Sequence, residues 1–154
     1  MIVCLVQHAE ANSEDQDPAR ALSAKGLADI TKTASYASRL NIDVNKIFHS
    51  PKLRARQTAQ VLADCLKPTN GHSETAGLAP LDDPFIWADR LKAQSDNIML
   101  VGHLPHLGKL ASLLLSGHSD KNVVSFKKAG IVCLERDEDQ TWSVQWMITP
   151  EIII

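Results

Sequence analysis

The sequence predicts an α/β fold: a three-layer α/β/α sandwich around a mostly parallel mixed sheet, with a C-terminal β-hairpin at the edge of the sheet. Short apolar runs alternate along the chain with segments of helical apolar spacing, as in parallel strands joined by crossover helices. Near the C-terminus two strand-like runs instead flank a polar turn. The 154 residues hold no repeat or long linker, so we expect a single domain over residues 1–154.

The first half of the chain predicts two strand–helix pairs. The continuous apolar run over residues 2–6 is typical of a strand buried on both faces. A helix should follow the N-cap Ser23, with apolar residues at helical spacing: Leu27, Ile30, Ala34 and Ala37. The run KIFH is a second strand candidate. The segment SPKLRARQTAQVLADCLK then predicts a helix with Ser50 as its N-cap and Pro51 at its first position.

The second half predicts one more strand–helix pair and the hairpin. KPTNGHS is expected to be a turn-rich connection, and DDPFIWADRLKA a third helix. Residues 97–103 predict a third apolar strand that ends on His103. A fourth helix, PHLGKLASLLLSG, should stop at Gly117. The run GIVCLERDEDQTWSVQWMI predicts the two hairpin strands.

Charge and composition argue against two classes of partner. The 16 Lys and Arg residues against 18 Asp and Glu give a net charge of −2, without the basic field that nucleic-acid binding requires. The apolar runs are far shorter than the ~20 residues of a membrane span, and no signal-peptide pattern is present. The three cysteines form no CxxC pair and predict buried free thiols. We therefore expect a cytoplasmic protein with no nucleic-acid or membrane partner.

Three predicted strand ends carry reactive side chains. In such sheets the ligand crevice lies outside the carboxyl ends of the parallel strands, so His8, Arg54 and His103 should meet there. Arg54 lies at the positive end of its helix dipole, where a bound anion would stabilise both the guanidinium and the exposed N–H groups. Each junction alone is typical of an ordinary surface residue, and only their convergence indicates a site. His103 and His106 lack a third ligand at close spacing, so no metal site is predicted.

Four motifs in order carry a resemblance to a known family: QHAE, DPARALSAKG, SPKLRARQTA and GHLPHLG. They resemble the histidine phosphatase (phosphoglycerate mutase-like) superfamily, and most closely its small branch, the SixA-type phosphohistidine phosphatases. The resemblance covers almost the whole chain and implies an α/β sandwich that needs no metal or organic cofactor. It implies that His8 is the nucleophile that becomes phosphorylated, that Arg20 and Arg54 bind phosphate, and that His103 is the second catalytic histidine.

These residue types suit phosphoryl transfer. The transferred group carries charge on three oxygens, and catalysis consists mostly of positioning and electrostatic stabilisation. Arginine presents a permanently charged fork that matches phosphate oxygens. Neutral imidazole has a lone pair that can attack phosphorus, and neighbouring cations should lower the pKa of His8 and keep it neutral. His103, if protonated, is a further donor to the phosphoryl oxygens.

The predicted substrate is a protein phosphohistidine, for example on a phosphotransfer domain. An alkoxide leaving group needs a general acid, whereas an imidazole leaves more easily. The family's acid often comes from the segment that here reads GLAPLDDPFIW, which makes Asp82 and Asp83 candidate general acids. A Pro-flanked acidic pair at the start of a helix is more often an N-cap and a first-turn charge. The small domain also has no lid over the predicted site, which suits a phosphohistidine that protrudes from a protein surface. A small phosphomonoester is the alternative substrate.

Gln7 departs from the family pattern, because Gln7-His8-Ala9 stands where the pattern is Arg-His-Gly. A hydrogen bond to a charged group contributes roughly 1.5–3 kcal/mol, so the missing charge should weaken the pocket by about 10–100-fold unless another cation compensates. The Gln7 amide, Arg20, Arg54 and His103 remain as phosphate-binding candidates, with Lys52 nearby in sequence. Two functions therefore stay open: an enzyme with a weaker pocket, and a catalytically silent module that binds phosphoproteins.

Overall fold

The computed structural model describes all residues from 1 to 154 and contains six strands and four α-helices. The strands are β1 (Ile2–Gln7), β2 (Lys46–His49), β3 (His72–Glu74), β4 (Ile98–Gly102), β5 (Ile131–Arg136) and β6 (Trp142–Ile148). The helices are α1 (Ala24–Arg39), α2 (Leu53–Leu66), α3 (Pro84–Lys92) and α4 (His106–Ser116), and a 3-10 turn follows at Pro150–Ile152.

All six strands form one mixed sheet in the order β3-β2-β4-β1-β5-β6. The pairs β2–β3, β2–β4 and β1–β4 are parallel, whereas β5 is antiparallel to both β1 and β6. The predicted mostly parallel sheet with a C-terminal hairpin at its edge is confirmed. The two central strands, β4 and β1, therefore end side by side, and each is followed by a histidine.

Two helical layers cover the sheet, which confirms the three-layer sandwich. Helices α1 and α2 pack on the face to which β1 contributes Cys4 and Val6. Helices α3 and α4 pack on the opposite face, to which β1 contributes Val3 and Leu5. All four side chains are fully buried, as the continuous apolar run predicts. Burying an aliphatic side chain this completely contributes about 1.5–3 kcal/mol, so β1 is held rigidly up to the residue before His8.

A close backbone contact fixes the loop between β1 and α1. Ser23 is the N-cap of α1, as predicted, and accepts a hydrogen bond from Gly26 N at 3.0 Å. A Cβ atom on Gly26 would lie 2.0 Å from Glu10 O, so only glycine fits there. Ser23 N also donates to Glu10 O at 3.0 Å. The start of α1 is therefore packed directly against the chain that leaves His8.

The predicted start of α2 is wrong by two residues. The helix begins at Leu53 after Lys52, which makes no side-chain capping bond, and both Ser50 and Pro51 precede it. Ser50 does not cap the helix, because its hydroxyl oxygen lies 2.8 Å from His103 Nε2 on a neighbouring strand's exit. The Ser50 side chain, which the local pattern predicts as a helix cap, therefore contacts a residue that is distant in the sequence.

Two further sequence predictions need correction. The segment predicted as a turn contains strand β3, whose three polar residues show no apolar alternation and pair only with the edge of β2. Leu27, predicted on the buried stripe of α1, is 51% exposed, because the stripe runs instead through Gly26, Ile30 and Ala34. Both errors occur at the margin of the sheet or of a helix face, where local pattern is weakest.

The cysteines and the helix lengths complete the description. Cys4 and Cys133 are buried and Cys65 is half-buried, and all three are free thiols. Cys65 is therefore less enclosed than predicted. None of the helices combines the length and the apolar character needed to span a membrane.

Candidate active site

His8 follows β1 at the carboxyl edge of the sheet. Its backbone N donates to Gly102 O at 3.0 Å, which continues the β1–β4 ladder by one residue. The imidazole is 8% exposed, and its Nδ1 lies 2.7 Å from Ala9 O. Because a carbonyl oxygen only accepts, Nδ1 carries the proton of the neutral ring. Nε2 therefore keeps its lone pair, which is the arrangement a nucleophilic imidazole needs.

The surroundings of His8 keep it uncharged. Burial, and then the charges of Arg54, Lys128 and Arg20, lower the pKa of His8 to about 4. The hydrogen bond to Ala9 O acts in the opposite direction. At neutral pH the ring is thus neutral and basic at one nitrogen.

His103 faces His8 across the β1–β4 junction. The two ring centroids are 5.0 Å apart and the ring planes are tilted by 55°. His103 Nε2 lies 2.8 Å from Ser50 Oγ, while Nδ1 is buried without a hydrogen-bond partner. Ser50 is itself held at this edge, since its backbone N donates to Val101 O at 3.0 Å. Three strand exits therefore meet at one point, as the sequence predicts.

His103 is neutral in the protein without ligand. Burial, and then the neighbouring His8, Arg54 and Lys52, lower its pKa to about 3. The protonated His103 considered from the sequence is therefore not the resting form. A phosphoryl dianion beside the ring would oppose these effects and raise the pKa again.

Arg54 and Arg20 bring two positive charges to the same edge. Arg54 lies in the first turn of α2, and its Nε is buried without a partner. Burial, and then the charge of Arg20, lower the pKa of Arg54. Neither guanidinium pairs with a carboxylate, since the salt bridges of the chain join Lys25 to Asp29 and Lys92 to Asp89. Two like charges held together without an acid favour an anion between them.

The polar loop after His8 folds back to deliver Arg20. Ala11 and Leu22 form an isolated antiparallel bridge that closes the loop. Inside it the Asp17 carboxylate accepts the backbone N–H groups of Ala19 and Ala21. Arg20 takes a left-handed φ of 52°, and its Nε donates to Asn12 O at 3.1 Å. Glu14 and Asp15 point to solvent, so the acidic part of the loop stays exposed as expected.

Gln7 is buried beside the site, with 8% of its surface exposed. Its side chain makes no hydrogen bond, while its backbone oxygen accepts from Ala129 N at 3.0 Å. The amide is thus uncommitted, and its contact with phosphate stays a prediction. Lys52, expected as a nearby cation, is among the charges that lower the pKa of His103.

Asp82 and Asp83 both have structural partners. Asp83 is the N-cap of α3 and accepts from Phe85 N at 3.0 Å, and Asp82 accepts from Ala79 N at 2.9 Å. Their charges oppose the effect of burial on the pKa of His106, which burial lowers. Neither carboxylate hydrogen-bonds to His8 or His103. The capping interpretation therefore describes Asp83, and a general acid at either position stays a prediction.

The HxxH pair does not belong to a cluster of metal ligands. His106 is fully buried in the first turn of α4, and neither of its ring nitrogens has a hydrogen-bond partner. No group of three His, Cys, Asp or Glu side chains is placed to hold a metal ion together.

Sequence reasoning missed two residues that hydrogen-bond within the site, Ser50 and Thr58, and one cation that lowers the pKa of His8, Lys128. Thr58 is fully buried in α2, where its hydroxyl accepts from Ala9 N at 3.0 Å and donates to Arg54 O at 2.7 Å. It thereby joins the backbone next to the nucleophile to the turn that carries Arg54. Mid-helix threonines usually bond to the preceding turn, so no sequence signal distinguishes this one. Lys128 lies in none of the sequence motifs, so nothing in the sequence indicates it.

Thr58→Val should destabilise the protein by about 1–3 kcal/mol, because it leaves the buried Ala9 N–H without an acceptor. Thr33→Val is the matched control, since Thr33 is equally buried in α1 but its hydroxyl has no partner. That variant should be neutral or stabilising. Urea unfolding of both variants measures the difference. Equal stability of the two variants would contradict the assigned role of the Thr58 hydroxyl.

The fold and the site define a class of protein before any relative is considered. Two neutral imidazoles and two unpaired guanidiniums, gathered at the carboxyl edge of a mostly parallel sheet, are suited to phosphoryl transfer. The comparisons with known proteins agree. The model of the histidine phosphatase superfamily (branch 1) matches residues 3–77.

Two relatives and a solved structure extend the similarity beyond those residues. An uncharacterised protein of a Picosynechococcus species is 38% identical over 128 residues, which cover 79% of this chain and 74% of the relative. The phosphohistidine phosphatase SixA of Escherichia coli is 24% identical over 155 residues, which cover 97% of this chain and 94% of that protein. The structure of the protein histidine phosphatase SixA complexed with tungstate matches with a TM-score of 0.86 at 24% identity, covering 97% of both chains. The chain belongs to the histidine phosphatase superfamily, in its SixA-type branch, and is a phosphatase.

Proposed function

We propose that the protein removes the phosphoryl group from a phosphohistidine on another protein, through a phosphorylated His8. One observation carries the proposal: His8 presents an unprotonated Nε2 beside His103, Arg54 and Arg20, with no carboxylate among them. A nucleophile needs that lone pair, and a transferred phosphoryl group needs those cations. The similar SixA structure was solved in complex with tungstate, a tetrahedral oxyanion, which supports the binding of such an anion by this fold.

The reaction proceeds in two displacements. His8 Nε2 attacks phosphorus while the P–N bond of the substrate breaks, and the substrate imidazole leaves as a neutral ring after protonation of its second nitrogen. The guanidinium groups of Arg54 and Arg20 stabilise the negative charge on the equatorial oxygens. Water then attacks phospho-His8, which releases inorganic phosphate and restores the neutral imidazole. The hydrogen bond from His8 Nδ1 to Ala9 O holds the ring in the same tautomer throughout.

His103 is the second reacting group in this proposal. Its Nδ1 is buried without a partner while Ser50 occupies Nε2, so the ring has one uncommitted nitrogen near the phosphorylated His8. The arriving dianion raises the pKa of His103 and allows it to act as a charged donor in the transition state. Because His103 takes up its proton when the phosphoryl group binds, it does not have to be protonated in the free protein.

The lack of a committed acid favours phosphohistidine over an alkyl phosphate. Asp83 caps α3 and Asp82 binds a backbone N–H, so neither is free to protonate an alkoxide without giving up its partner. An imidazole leaving group needs less assistance. The three free thiols support a reducing, cytoplasmic setting.

The test compares purified protein on a phosphohistidine protein, on free phosphohistidine and on an alkyl phosphate such as glycerol phosphate. The phosphohistidine substrates should be hydrolysed faster than the alkyl ester by about 10²–10⁴-fold, the contribution of a general acid. Comparable turnover of the alkyl ester would favour a small-molecule phosphomonoesterase. Binding of phosphohistidine without turnover would favour the silent module that Gln7 suggests.

A further inference from the structure

The turn before β5 is fixed against the residue that precedes the nucleophile. Ala129 N donates to Gln7 O at 3.0 Å, and Gly130 N donates to Lys127 O at 3.0 Å. Ala129 takes a left-handed φ of 61° and is fully buried. The ladder between β1 and β5 begins two residues later, at Ile131. These backbone hydrogen bonds fix the turn that carries Lys128 next to the end of β1, which leads into His8.

The two lysines of this turn have different surroundings. Both Lys127 and Lys128 are exposed, and neither forms a side-chain hydrogen bond or a salt bridge. The charge of Lys128 is among those that lower the pKa of His8. The charge of Lys127 lowers the pKa of Glu151, in the C-terminal 3-10 turn. Lys128 also adjoins Ala129, whose backbone N donates to Gln7 O, whereas Lys127 lies one residue further from that contact.

We propose that Lys128 is a phosphate-binding residue that supplies, from the turn before β5, the positive charge that Gln7 does not bring from β1. The inference deepens the proposed function and rests on it for the identity of the substrate, but not for the binding of phosphate. The chain thus keeps three side-chain cations, Arg20, Arg54 and Lys128, around its nucleophile although the strand position is neutral.

The chemistry of lysine determines what this replacement achieves. An ammonium group is a compact point charge on a flexible stem, whereas the guanidinium of arginine binds two oxygens in fixed geometry. An exposed, mobile ammonium contacts the phosphoryl group equally in the ground state and the transition state. It therefore improves binding without much effect on the chemical step, so the loss should appear in KM more than in kcat. Its contribution should also be screened by salt.

The test measures binding of inorganic phosphate by titration calorimetry to the wild type, Lys128→Met and Lys127→Met. Lys128→Met should weaken phosphate binding by about 10-fold at low salt, the lower range for a hydrogen bond to a charged group, and by less at high salt. Lys127→Met, with its adjacent and equally exposed charge, should bind as the wild type does. Lys128→Arg should retain the affinity. An equal loss in both Met variants, or none in Lys128→Met, would overturn the proposal.

A second experiment uses the coupling between positions 7 and 128. Gln7→Arg should strengthen phosphate binding more in the Lys128→Met background than in the wild type. The new guanidinium then replaces the charge of Lys128 and does not add to it. Equal gains in both backgrounds would show that Lys128 acts elsewhere and would refute the inference. These readouts are independent of turnover. Failure to hydrolyse phosphohistidine would thus count against the proposed function alone, while unaltered phosphate binding would count against Lys128 alone.

Discussion

Replacing His8 with alanine should reduce phosphohistidine hydrolysis by about 10³-fold or more, because removal of the nucleophile abolishes the covalent pathway and leaves only binding and electrostatics. His118→Ala is the matched control, since His118 is exposed on the loop after α4 and should leave turnover unchanged. Rapid acid-free quenching with labelled substrate should trap one phosphoryl group per wild-type chain and none on the His8→Ala chain. Full activity in His8→Ala would exclude the phospho-His8 mechanism.

The pKa of His8 adds a pH requirement to the same experiment. Burial and the nearby cations lower that pKa to about 4, so protonation removes the lone pair only when the pH falls towards that value. NMR titration of the imidazole protons should show His8 and His103 neutral from pH 8 down to about 5. A midpoint near 6.5 for His8 would mean that its surroundings do not maintain the nucleophilic form.

Arg54→Met should lower kcat for phosphohistidine by about 10²–10³-fold, the effect of removing one preorganised donor to the charge that develops in the transition state. Arg54 lies on the buried side of α2, where its Nε has no protein partner. Its loss should also weaken phosphate binding, because the ground state is charged as well.

Arg56→Met is the matched control on the same helix. Arg56 lies two residues further along α2 and is exposed to solvent, so its removal changes the net charge equally without reaching the site. It should leave kcat and KM within a factor of about two, as expected for a screened surface charge. If both arginine variants lost activity alike, the effect of Arg54 would be one of overall charge rather than of contact with the phosphoryl group.

The layered fold was readable from the sequence because its elements have strong local patterns. The apolar run over residues 2–6 predicts a buried strand, and Ser23 predicts the start of a helix. Both patterns depend only on residues that are neighbours in the sequence, and the structure has both elements. The same holds for Gly117, whose left-handed conformation ends α4 as predicted. Strand β3 escaped prediction, because it owes its conformation to pairing with β2 rather than to its own polar residues.

The site was predictable as far as topology determines it. Parallel strands place their carboxyl ends together, so His8, Arg54 and His103 could be assigned to one edge without coordinates. Arg20 depended on the resemblance to the family, and the closed loop from Ala11 to Leu22 supplies its physical basis.

The sequence by itself determined the class of chemistry, because two histidines and an arginine follow strands whose ends meet at one edge, and the motifs around them resemble those of one phosphatase family. Only the tertiary structure decided which partners each side chain has. Ser50 binds His103 instead of capping α2, and Thr58 joins Ala9 to Arg54. The turn that carries Lys128 lies next to the end of β1, because Ala129 N hydrogen-bonds to Gln7 O. Such contacts join residues far apart along the chain, and no local spacing encodes them, because they exist only once the sheet has brought β1, β4 and β5 side by side.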